Sequence, residues 1–412
     1  MTYHARTRSV SQEDLVWDFG TETYQVFPYE HYRWCRENDP VHKVTLPNGH
    51  VVYMLTKYED IKAAALNHKQ FSAAVTDTVG WLMFKDPPEH TKIRGTVQSH
   101  LSKKGVDFID SAIDDINRAS FQYLLNDKGG DAVTYCQEFP AAVVNHMLGI
   151  KIDPNQINYW IGCSLNAMGQ AFGLPGGPEG RKGQADLIDF LEGVVRDYIA
   201  NPQDNIGSLL AQYAAPGGKL SVREVADFMN MLFTGGHETT TFTMTSAIGI
   251  LAQDKALFDR IKADRSLIPA FIDETLRYRP VLQSNPRIAA EDIHIRGQVI
   301  PKGAIVKLCT GSGNMDEEVF PNPEEFNIDR PNVSDHLSFS RGIHTCIGAV
   351  LARRELLKGF THLFETVASI KLDPAHPVKP HIGGTGNEHG FDSVPVVIEP
   401  EPHAANQVLE AA

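Results

Sequence analysis

The chain has 412 residues, of which 42% are hydrophobic and 22% are charged, a composition typical of a globular protein with a large apolar core. Its formal net charge of −13 argues against nucleic acid as a partner, because nucleic-acid-binding surfaces are basic. The five cysteines are scattered, without a CxxC pair, which indicates a reducing cytoplasmic compartment and not a disulfide framework.

No membrane segment is predicted. Residues 1–18 contain Arg, Glu and Asp without an apolar run, so they resemble neither a signal peptide nor a membrane anchor. Residues 222–253 are long enough to span a bilayer, but their charged side chains favour a buried helix. The Gly/Pro-rich stretches are short, which favours one large domain over 21–400, with flexible segments at 1–20 and 401–412.

The predicted elements begin with a hairpin and continue as a mainly α chain. Strands at 41–46 and 51–55 flank a Pro-Asn-Gly turn. Helical periodicity covers 57–67, 90–125, 139–148, 155–170, 183–199, 222–253, 267–279 and 347–364. Short strand-like runs return at 287–289, 293–295, 304–308 and 394–398. The pattern predicts a mainly α fold with a small β region, a sheet made of sequence-distant hairpins.

The most specific feature is the segment Phe339-Ser-Arg-Gly342-Ile-His-Thr-Cys346-Ile-Gly348, directly before an amphipathic helix. Cys346 is therefore predicted at a helix N-terminus, where unpaired N–H groups and the helix dipole lower a thiol pKa. Gly342 permits a tight turn, Gly348 lets a flat ring system approach, and Phe339 can cover the sulfur against water. A lone cysteine is usually a buried free thiol, so the prediction depends on the surrounding pattern.

This pattern resembles the heme-binding signature of the cytochrome P450 family, F-x-x-G-x-H-x-C-x-G, at every fixed position. The resemblance extends from about Tyr29 to Pro400 and implies the P450 fold in a single large domain. It also implies a heme-dependent monooxygenase with heme b (iron protoporphyrin IX) as cofactor and Cys346 as the ligand to the metal. The cofactor-binding residues that it implies in this loop are Phe339, Gly342, His344, Cys346 and Gly348.

Glu274-Thr-Leu-Arg277 places a carboxylate and a guanidinium on one helical face, which taken alone is an ordinary surface pair. Its setting upstream of the cysteine segment resembles the family's E-x-x-R motif. The family's third partner is an Arg before the cysteine loop, and the matching residue is Arg330. Many members have proline where Ile328 stands. The resemblance implies a structural role, in which the three residues hold this side of the cofactor site together.

The predicted helix over 222–253 begins at a capping box, Ser221-Val-Arg-Glu224. Two glycines and three threonines then follow in its middle, at 235–241, and all of these are poor helix formers. A helix that is weakened at its centre and carries an acid and hydroxyls there usually does so for a site.

This glycine–threonine segment resembles the family's oxygen-binding segment, A/G-G-x-D/E-T. The match implies that Glu238 and Thr239 are the catalytic acid–alcohol pair, which supplies protons for oxygen activation, and that Gly235 and Gly236 lie against the cofactor. A buried Glu with helix-bound threonines is the alternative. Zinc is not predicted, because Thr241 stands where H-E-x-x-H needs a histidine.

Four cationic or titratable residues match family positions around the heme. His90 and Arg94 follow an Asp-Pro-Pro-Glu segment, Arg287 begins a predicted strand, and His344 lies in the cysteine loop. A heme has two propionates, and buried carboxylates require charge-assisted donors. By resemblance these four residues bind the propionates, although each taken alone could be a surface residue.

Electrons are expected from outside the chain. No flavin, nicotinamide or iron–sulfur motif is present, and the run 311–316 lacks the third glycine of a dinucleotide fingerprint. The expected partners are a ferredoxin and ferredoxin reductase, with O2 and a hydrophobic small molecule as substrates, and the protein is expected to be a monomer. Arg341, Arg353 and Arg354 form a candidate docking face for an acidic ferredoxin, although a solvated helix surface fits them equally well.

The resemblance also implies which segments contact the substrate, and their residues are mostly apolar. They predict a neutral hydrophobic substrate of moderate size, such as a natural-product intermediate, and each could equally be a core residue. The residues are Val79, Trp81, Leu82, Met83, Phe172, Leu174, Met231, Thr234, Val281, Leu282 and Asn387.

Two rival functions remain at this stage. A heme-thiolate sensor or carrier would bind heme and ligand but consume no reductant. A peroxide-driven oxygenase would keep the fold, but peroxide-driven members of the family lack the acid–alcohol pair, so Glu238 and Thr239 weigh against it.

Overall fold

The computed structural model describes residues 22–26, 28–46, 49–171, 178–382 and 387–403. In these ranges the helices are α1 (Glu22–Val26), α2 (Tyr29–Asn38), α3 (Tyr58–Leu66), α4 (Glu89–Val97), α5 (Lys103–Asp107), α6 (Asp110–Asn126), α7 (Ala132–Leu148), α8 (Pro154–Ala171), α9 (Pro178–Ala200), α10 (Ile206–Ala211), α11 (Val222–Leu251), α12 (Lys255–Ala263), α13 (Ile268–Tyr278), α14 (Thr310–Gly313) and α15 (Ala349–Thr366). The strands are β1 (Val41–Thr45), β2 (Val51–Leu55), β3 (Phe71–Ser72), β4 (Gly129–Asp131), β5 (Asn285–Ala289), β6 (Ile293–Ile295), β7 (Gln298–Ile300), β8 (Ile305–Leu308), β9 (Val367–Leu372), β10 (Lys379–Pro380), β11 (Phe391–Ser393) and β12 (Pro395–Pro400). The predicted mainly α fold is confirmed.

The β structure is more divided than the sequence predicts. A five-stranded sheet has the order β1-β2-β8-β5-β3, and β4-β12-β9 form a three-stranded sheet. Two further pairs, β6-β7 and β10-β11, are separate. The predicted hairpin of β1 and β2 is confirmed, but β2 pairs with β8 in parallel. The prediction of a single sheet made of hairpins was therefore wrong, because strands from distant segments assemble into several sheets.

One predicted helix is also wrong. Residues 90–125 form three helices, α4, α5 and α6, with a 3-10 segment at Gln98–Leu101 after α4. Ser102 has extended backbone angles (φ −74°, ψ 171°), which end the helical path before α5. The sequence prediction also missed α2 and α12, and it began α7 seven residues late, at 139 where the structure begins at 132.

The long helix α11 lies at the centre of the largest hydrophobic cluster, in which it packs against α7, α9, α13 and α15. It begins at the predicted capping box, where the Ser221 side chain accepts from Glu224 N and the Glu224 side chain accepts from Ser221 N. Every residue from 240 to 251 is buried. The end of this helix is thereby fixed in the core, so the residues before it are held in a constant position.

A second hydrophobic cluster packs α3 against the five-stranded sheet, with Ile61, Val306 and Phe320 among its buried residues. It supports the segment that carries Cys346, because the backbone of Gly342 lies against the end of α3. The two clusters thus hold α11 and the cysteine segment in place. Among the helices in the described ranges, none combines the length and the apolar character that a bilayer crossing requires.

Candidate active site

A cavity of about 240 Å³ lies between α11 and the segment that carries Cys346. The cysteine segment contributes Phe339, His344, Cys346 and Gly348 to its wall. The opposite wall is formed by α11, which contributes Gly235, Gly236 and Thr239, and the cationic residues His90, Arg94 and Arg287 line it as well. Of the predicted heme-site residues, only Gly342 and Glu238 are outside this wall.

The cysteine loop is held by its own backbone. Cys346 N donates a hydrogen bond to Phe339 O at 2.8 Å, and the Thr345 hydroxyl donates to Gly342 O at 2.8 Å. Gly342 has φ +73°, and a Cβ atom there would lie 2.6 Å from the Ala65 carbonyl oxygen. Both the left-handed backbone and the close approach to α3 therefore require glycine at this position.

Cys346 is the one exposed cysteine of the five, and its exposure is to the cavity and not to the outer surface. Burial raises the pKa of the Cys346 thiol, while the backbone N–H groups of Gly348 and Ala349 and the charge of Arg94 act in the opposite direction. The sequence predicts that the helix N-terminus lowers this pKa, and the N–H groups of Gly348 and Ala349 do act in that direction, but burial outweighs them. A bound metal ion would remove the proton from this thiol regardless.

The predicted position of Cys346 at a helix N-terminus is confirmed with a small shift. The helix α15 begins at Ala349, with Gly348 as its N-cap residue, so the helix starts two residues later than predicted. The N–H groups that reach the sulfur are therefore those of the cap and of the first helical residue.

The cationic edge of the cavity is composed of His90, Arg94, Arg287 and His344. The His90 and His344 rings are 4.4 Å apart, and among the described residues neither Nε2 atom has a hydrogen-bond partner. Arg287 is 5% exposed, and its guanidinium donates to the carbonyl oxygen of Pro286. Two guanidinium groups and two imidazole rings are thus concentrated at an edge of the cavity where few carboxylates balance their charge.

The pKa shifts of Arg287 and His344 agree with this concentration of cationic and imidazole groups. Burial lowers the pKa of Arg287 to about 10, and Asp86 acts in the opposite direction. Burial first, and then the charges of Arg287, His90 and Arg94, lower the pKa of His344 to about 3. The Asp86 carboxylate already accepts from the Ser72 hydroxyl and the Ala73 N–H. An anion with two carboxylates would give these groups partners, so the residues present fit the propionates of a heme.

The distal wall is an unbroken helix. Thr239, Thr241 and Thr243 donate hydrogen bonds to the carbonyl oxygens of residues 235, 237 and 239, so the glycine–threonine segment stays helical. The Thr239 hydroxyl to Gly235 O distance is 2.5 Å. The poor helix formers at 235–241 thus leave α11 continuous, and these three threonine hydroxyls are bonded to backbone carbonyls within it.

His237 and Glu238, which precede Thr239, are not part of the cavity wall. Burial first, and then the carboxylates of Glu388 and Asp392, raise the pKa of Glu238 to about 8. His237 Nε2 is hydrogen-bonded to Gln137 O at 3.0 Å, and burial lowers its pKa to about 4. The protonated form of Glu238 is thus favoured near neutral pH, and His237 is a structural residue of the α7–α11 contact whose neutral form is favoured.

The three residues predicted to hold the cysteine side together do meet. The side chains of Glu274 and Arg277 have 0% exposure and are joined at 2.7 Å, so this is not a surface pair. Arg330 Nε lies 3.1 Å from Glu274 Oε1, and Asn327 N donates to the same oxygen at 2.7 Å. Arg277 also donates to Asn314 O at 2.9 Å, so the network connects α13 to the segment before the cysteine loop.

The residues predicted to contact substrate divide into two groups. Those that line the cavity are Leu82, Met83, Met231, Val281 and Leu282. Four others are absent from its wall: Val79 and Trp81 pack in a separate cluster with Phe84 and α8, Thr234 bonds to Asn230, and Asn387 bonds to Ser284. Their side chains are used in packing or local hydrogen bonds, and substrate contact by these four stays a prediction. Phe172 and Leu174 lie outside the described residues.

Some wall residues were not predicted. Val144 and Met147 from α7, Thr240 and Thr243 from α11 and Glu355 from α15 line the cavity. The α7 residues have the spacing of ordinary core positions, so the sequence carries no signal for them. The threonines lie within or beside the identified segment and could have been found from their position on α11.

The comparisons with known proteins agree with this geometry. The family model described as Cytochrome P450 matches residues 194–381. Cyclomarin C epoxidase CymV of Salinispora arenicola (strain CNS-205) is 32% identical over 359 residues, which cover 83% of this chain and 90% of the relative. The chain belongs to the cytochrome P450 family. The polyketide biosynthesis cytochrome P450 PksS of Bacillus subtilis (strain 168) is 27% identical, over 82% of this chain and 87% of the relative.

Solved P450 structures share the fold. The crystal structure of CYP109E1 from Bacillus megaterium in complex with testosterone has a TM-score of 0.82 and 27% identity, and the match covers 92% of this chain and 99% of that chain. The P450 fold of a single domain is therefore confirmed. Members of the family are heme-dependent monooxygenases, so this P450 is an oxidoreductase of that class with heme as its cofactor.

Proposed function

We propose that this P450 inserts one atom of O2 into a neutral hydrophobic small molecule, by hydroxylation or epoxidation, at a heme b held by Cys346 in a domain spanning residues 21–400. The observation that carries the proposal is one shared cavity. Its wall contains the Cys346 thiol, the four-residue cationic edge and the Gly235–Thr239 face of α11.

The chain's own residues account for cofactor binding. Cys346 would hold the iron through its sulfur, and His90, Arg94, Arg287 and His344 would bind the two propionates through charge-assisted hydrogen bonds. When bound, the heme supplies the iron at which O2 is activated, and a thiolate ligand favours O–O cleavage. Phe339, which lies beneath the Arg353 guanidinium at 5.0 Å, would exclude water from the sulfur side.

Glu238 and Thr239 would supply protons on the opposite side. Because the pKa of Glu238 is raised to about 8, its carboxyl group carries a proton at neutral pH. Thr239 lines the cavity one residue further along α11, and its hydroxyl oxygen keeps lone pairs that can accept a hydrogen bond while it donates to Gly235 O. The two groups thus provide a proton source and a hydroxyl through which the proton can pass.

The apolar part of the wall supports the substrate class. Leu82, Met83, Met231, Val281 and Leu282 are all uncharged and face the cavity. The names of two relatives, an epoxidase of cyclomarin C and a polyketide biosynthesis P450, favour a natural-product intermediate as the substrate.

Electrons would come from a ferredoxin and its reductase, but the docking face is smaller than the sequence suggests. Arg353 forms an ion pair with Asp273, and Arg354 forms ion pairs with carboxylates at the start of α6 and the end of α5. Among the described residues Arg341 has no carboxylate partner, and its guanidinium donates to the carbonyl oxygens of Ser340 and Asp335. We therefore centre the proposed docking face on Arg341.

The ligand assignment is tested by Cys346→Ala. The reduced, CO-bound protein should show the absorbance band typical of a thiolate ligand, and the variant should lose it. Cys163→Ala, which changes a buried cysteine on α8, should keep the band. Survival of the band in Cys346→Ala would refute the assignment.

Turnover is tested by screening small molecules for a change in the heme spin state when they bind to the heme-loaded protein. A molecule that produces the change is then incubated with ¹⁸O2, NADPH, a bacterial ferredoxin and its reductase. We expect a product that carries one ¹⁸O atom. Molecules that bind, with no consumption of reductant for any of them, would instead support the sensor or carrier function.

A further inference from the structure

The ring of Phe339 is contacted by a cation and by an imidazole. Phe339 belongs to the cavity wall, and its carbonyl oxygen accepts the 2.8 Å hydrogen bond from Cys346 N. The guanidinium carbon of Arg353 lies 5.0 Å from the centre of the Phe339 ring, and the His336 ring lies 5.8 Å from it. A cation over an aromatic face is attracted by the ring quadrupole. Arg353 and His336 therefore pack against the residue whose backbone holds Cys346.

One carboxylate, that of Asp273 on α13, contacts both of these neighbours. Asp273 forms an ion pair with Arg353, and its Oδ1 atom lies 3.6 Å from His336 Nε2. Its side chain is 15% exposed, whereas that of Arg353 is 39% exposed. Burial opposes the ionisation of Asp273, but the hydrogen bonds and charges of His336 and Arg353 outweigh it and lower its pKa. Asp273 is therefore ionised at neutral pH.

His336 contributes a neutral ring to this cluster. Ser338 N donates to His336 Nδ1 at 3.2 Å, so the ring proton is on Nε2, the atom that faces Asp273. Burial lowers the pKa of His336, although Asp273 acts in the opposite direction, so the neutral form is favoured. The charges that these side chains place beside Phe339 are thus one negative, on Asp273, and one positive, on Arg353.

We propose that Asp273 is a positioning residue for electron uptake: its ion pair holds the Arg353 guanidinium against Phe339, and the two opposite charges together set how readily the heme site accepts an electron. Uptake of one electron from the ferredoxin adds one negative charge at this site, so a nearby cation favours it and a nearby anion disfavours it. The inference rests on the proposed function, in which Cys346 holds a heme, and it adds the charge pair that adjusts the reduction potential.

The next residue of α15 provides a matched control. Arg354 forms its ion pairs with Asp107 and Asp110, at the end of α5 and the start of α6. Adjacent residues project about 100° apart around a helix, so Arg353 and Arg354 lie on different faces of α15. Replacing either arginine by glutamine makes the same change in net charge, but only Arg353 contacts Phe339 in the described part of the chain.

The test is the midpoint reduction potential of the heme-loaded protein, measured by spectroelectrochemistry with soluble mediators, so that no docking partner is needed. Asp273→Asn leaves the Arg353 charge unbalanced and should raise the potential, whereas Arg353→Gln leaves the Asp273 charge unbalanced and should lower it. Each shift should correspond to roughly a tenfold change in the equilibrium constant for electron uptake, or about 59 mV for one electron. The double variant should return close to the potential of the unmodified protein, and Arg353→Lys, which keeps the charge, should retain most of it.

The sign of the shifts separates a charge effect from loosened packing. Shifts of the same sign in Asp273→Asn and Arg353→Gln, or equal shifts in Arg353→Gln and Arg354→Gln, would overturn the proposal. If Asp273→Asn does not fold, the comparison of Arg353→Gln with Arg353→Lys and Arg354→Gln still decides it. The thiolate-type band of the reduced, CO-bound protein is recorded for every variant. If the unmodified protein lacks this band, the proposed function fails, and if the band is present but the potentials do not move, only the inference fails.

Discussion

Thr239 and Thr241 lie two positions apart on α11 but have different surroundings. Thr239 lines the cavity, whereas the Thr241 hydroxyl donates to the carbonyl oxygens of Cys136 and His237 in the contact with α7. If Thr239 passes protons to the site of oxygen activation, its hydroxyl is needed for chemistry, and that of Thr241 only for packing. Identical substitutions at the two positions therefore separate the two roles.

Thr239→Ala should divert reducing equivalents from product to hydrogen peroxide. We expect product formation per NADPH to fall by roughly 10²-fold, the lower end of what a positioned proton-transfer group contributes. Peroxide and product are measured together, with a ligand chosen by its spin-state change. Thr241→Ala should stay coupled. Fully coupled product formation in Thr239→Ala would remove Thr239 from the proposed proton path.

At the scale of an element, the cysteine loop depends on a turn that only glycine fits. Gly342→Ala would add backbone strain at φ +73° and place a Cβ atom 2.6 Å from the Ala65 carbonyl oxygen. We expect the loop and the end of α3 to separate and heme to dissociate faster, which is measured by transfer of heme to excess apomyoglobin.

Gly303→Ala is the matched control for this change. Gly303 has φ +82°, but a Cβ atom added there would meet no heavy atom within 4 Å, so the strain is similar and the clash is absent. The cost there should be about 1–2 kcal/mol of stability, with no change in heme loss. Equal rates of heme loss in the two variants would show that strain, and not the contact with α3, determines how the loop holds the cofactor.

The buried network around α13 should contribute far more stability than a surface pair of the same chemistry. Arg277→Ala would leave the Glu274 carboxylate with one fewer cation in a fully buried place, which costs about 3–5 kcal/mol. Arg260→Ala breaks an exposed ion pair with Asp329 that solvent screens, so it should leave the stability nearly unchanged. Urea unfolding curves measure both variants. If Arg277→Ala lost as little stability as Arg260→Ala, the buried network would have to relax around the missing Arg277 side chain.

At the scale of the whole molecule, the sequence was sufficient to predict those parts of the site whose residues lie close together in the chain. The cysteine segment and the Glu274–Arg277 pair lie within single stretches, so their spacing could be recognised, and the structure brings Arg330 to them. The environment of Trp81 could not be predicted from the sequence, because an apolar residue near a site can either line the cavity or pack in a neighbouring cluster, as Trp81 does with Val79 and Phe84.

Electron delivery is also a property of the whole molecule, because a net charge of −13 repels an acidic ferredoxin except where local charge is positive. Arg353 and Arg354 are neutralised by neighbouring carboxylates, which leaves Arg341 as the proposed centre of the docking face. Arg341→Glu should lower the rate of heme reduction by an acidic bacterial ferredoxin roughly tenfold at low ionic strength. The deficit should shrink as salt rises above about 0.1 M, where the Debye length falls below about 10 Å.

The rate is measured by stopped-flow mixing under CO, where each reduced heme is trapped. Arg196→Glu is the control, because Arg196 is an exposed residue of α9 with an ion pair to Glu192 and its replacement makes the same change in net charge. If both variants slow reduction equally, the effect comes from total charge and not from a docking face. A loss in Arg341→Glu that does not respond to salt would instead indicate that Arg341 acts through the cysteine loop, to which its backbone belongs.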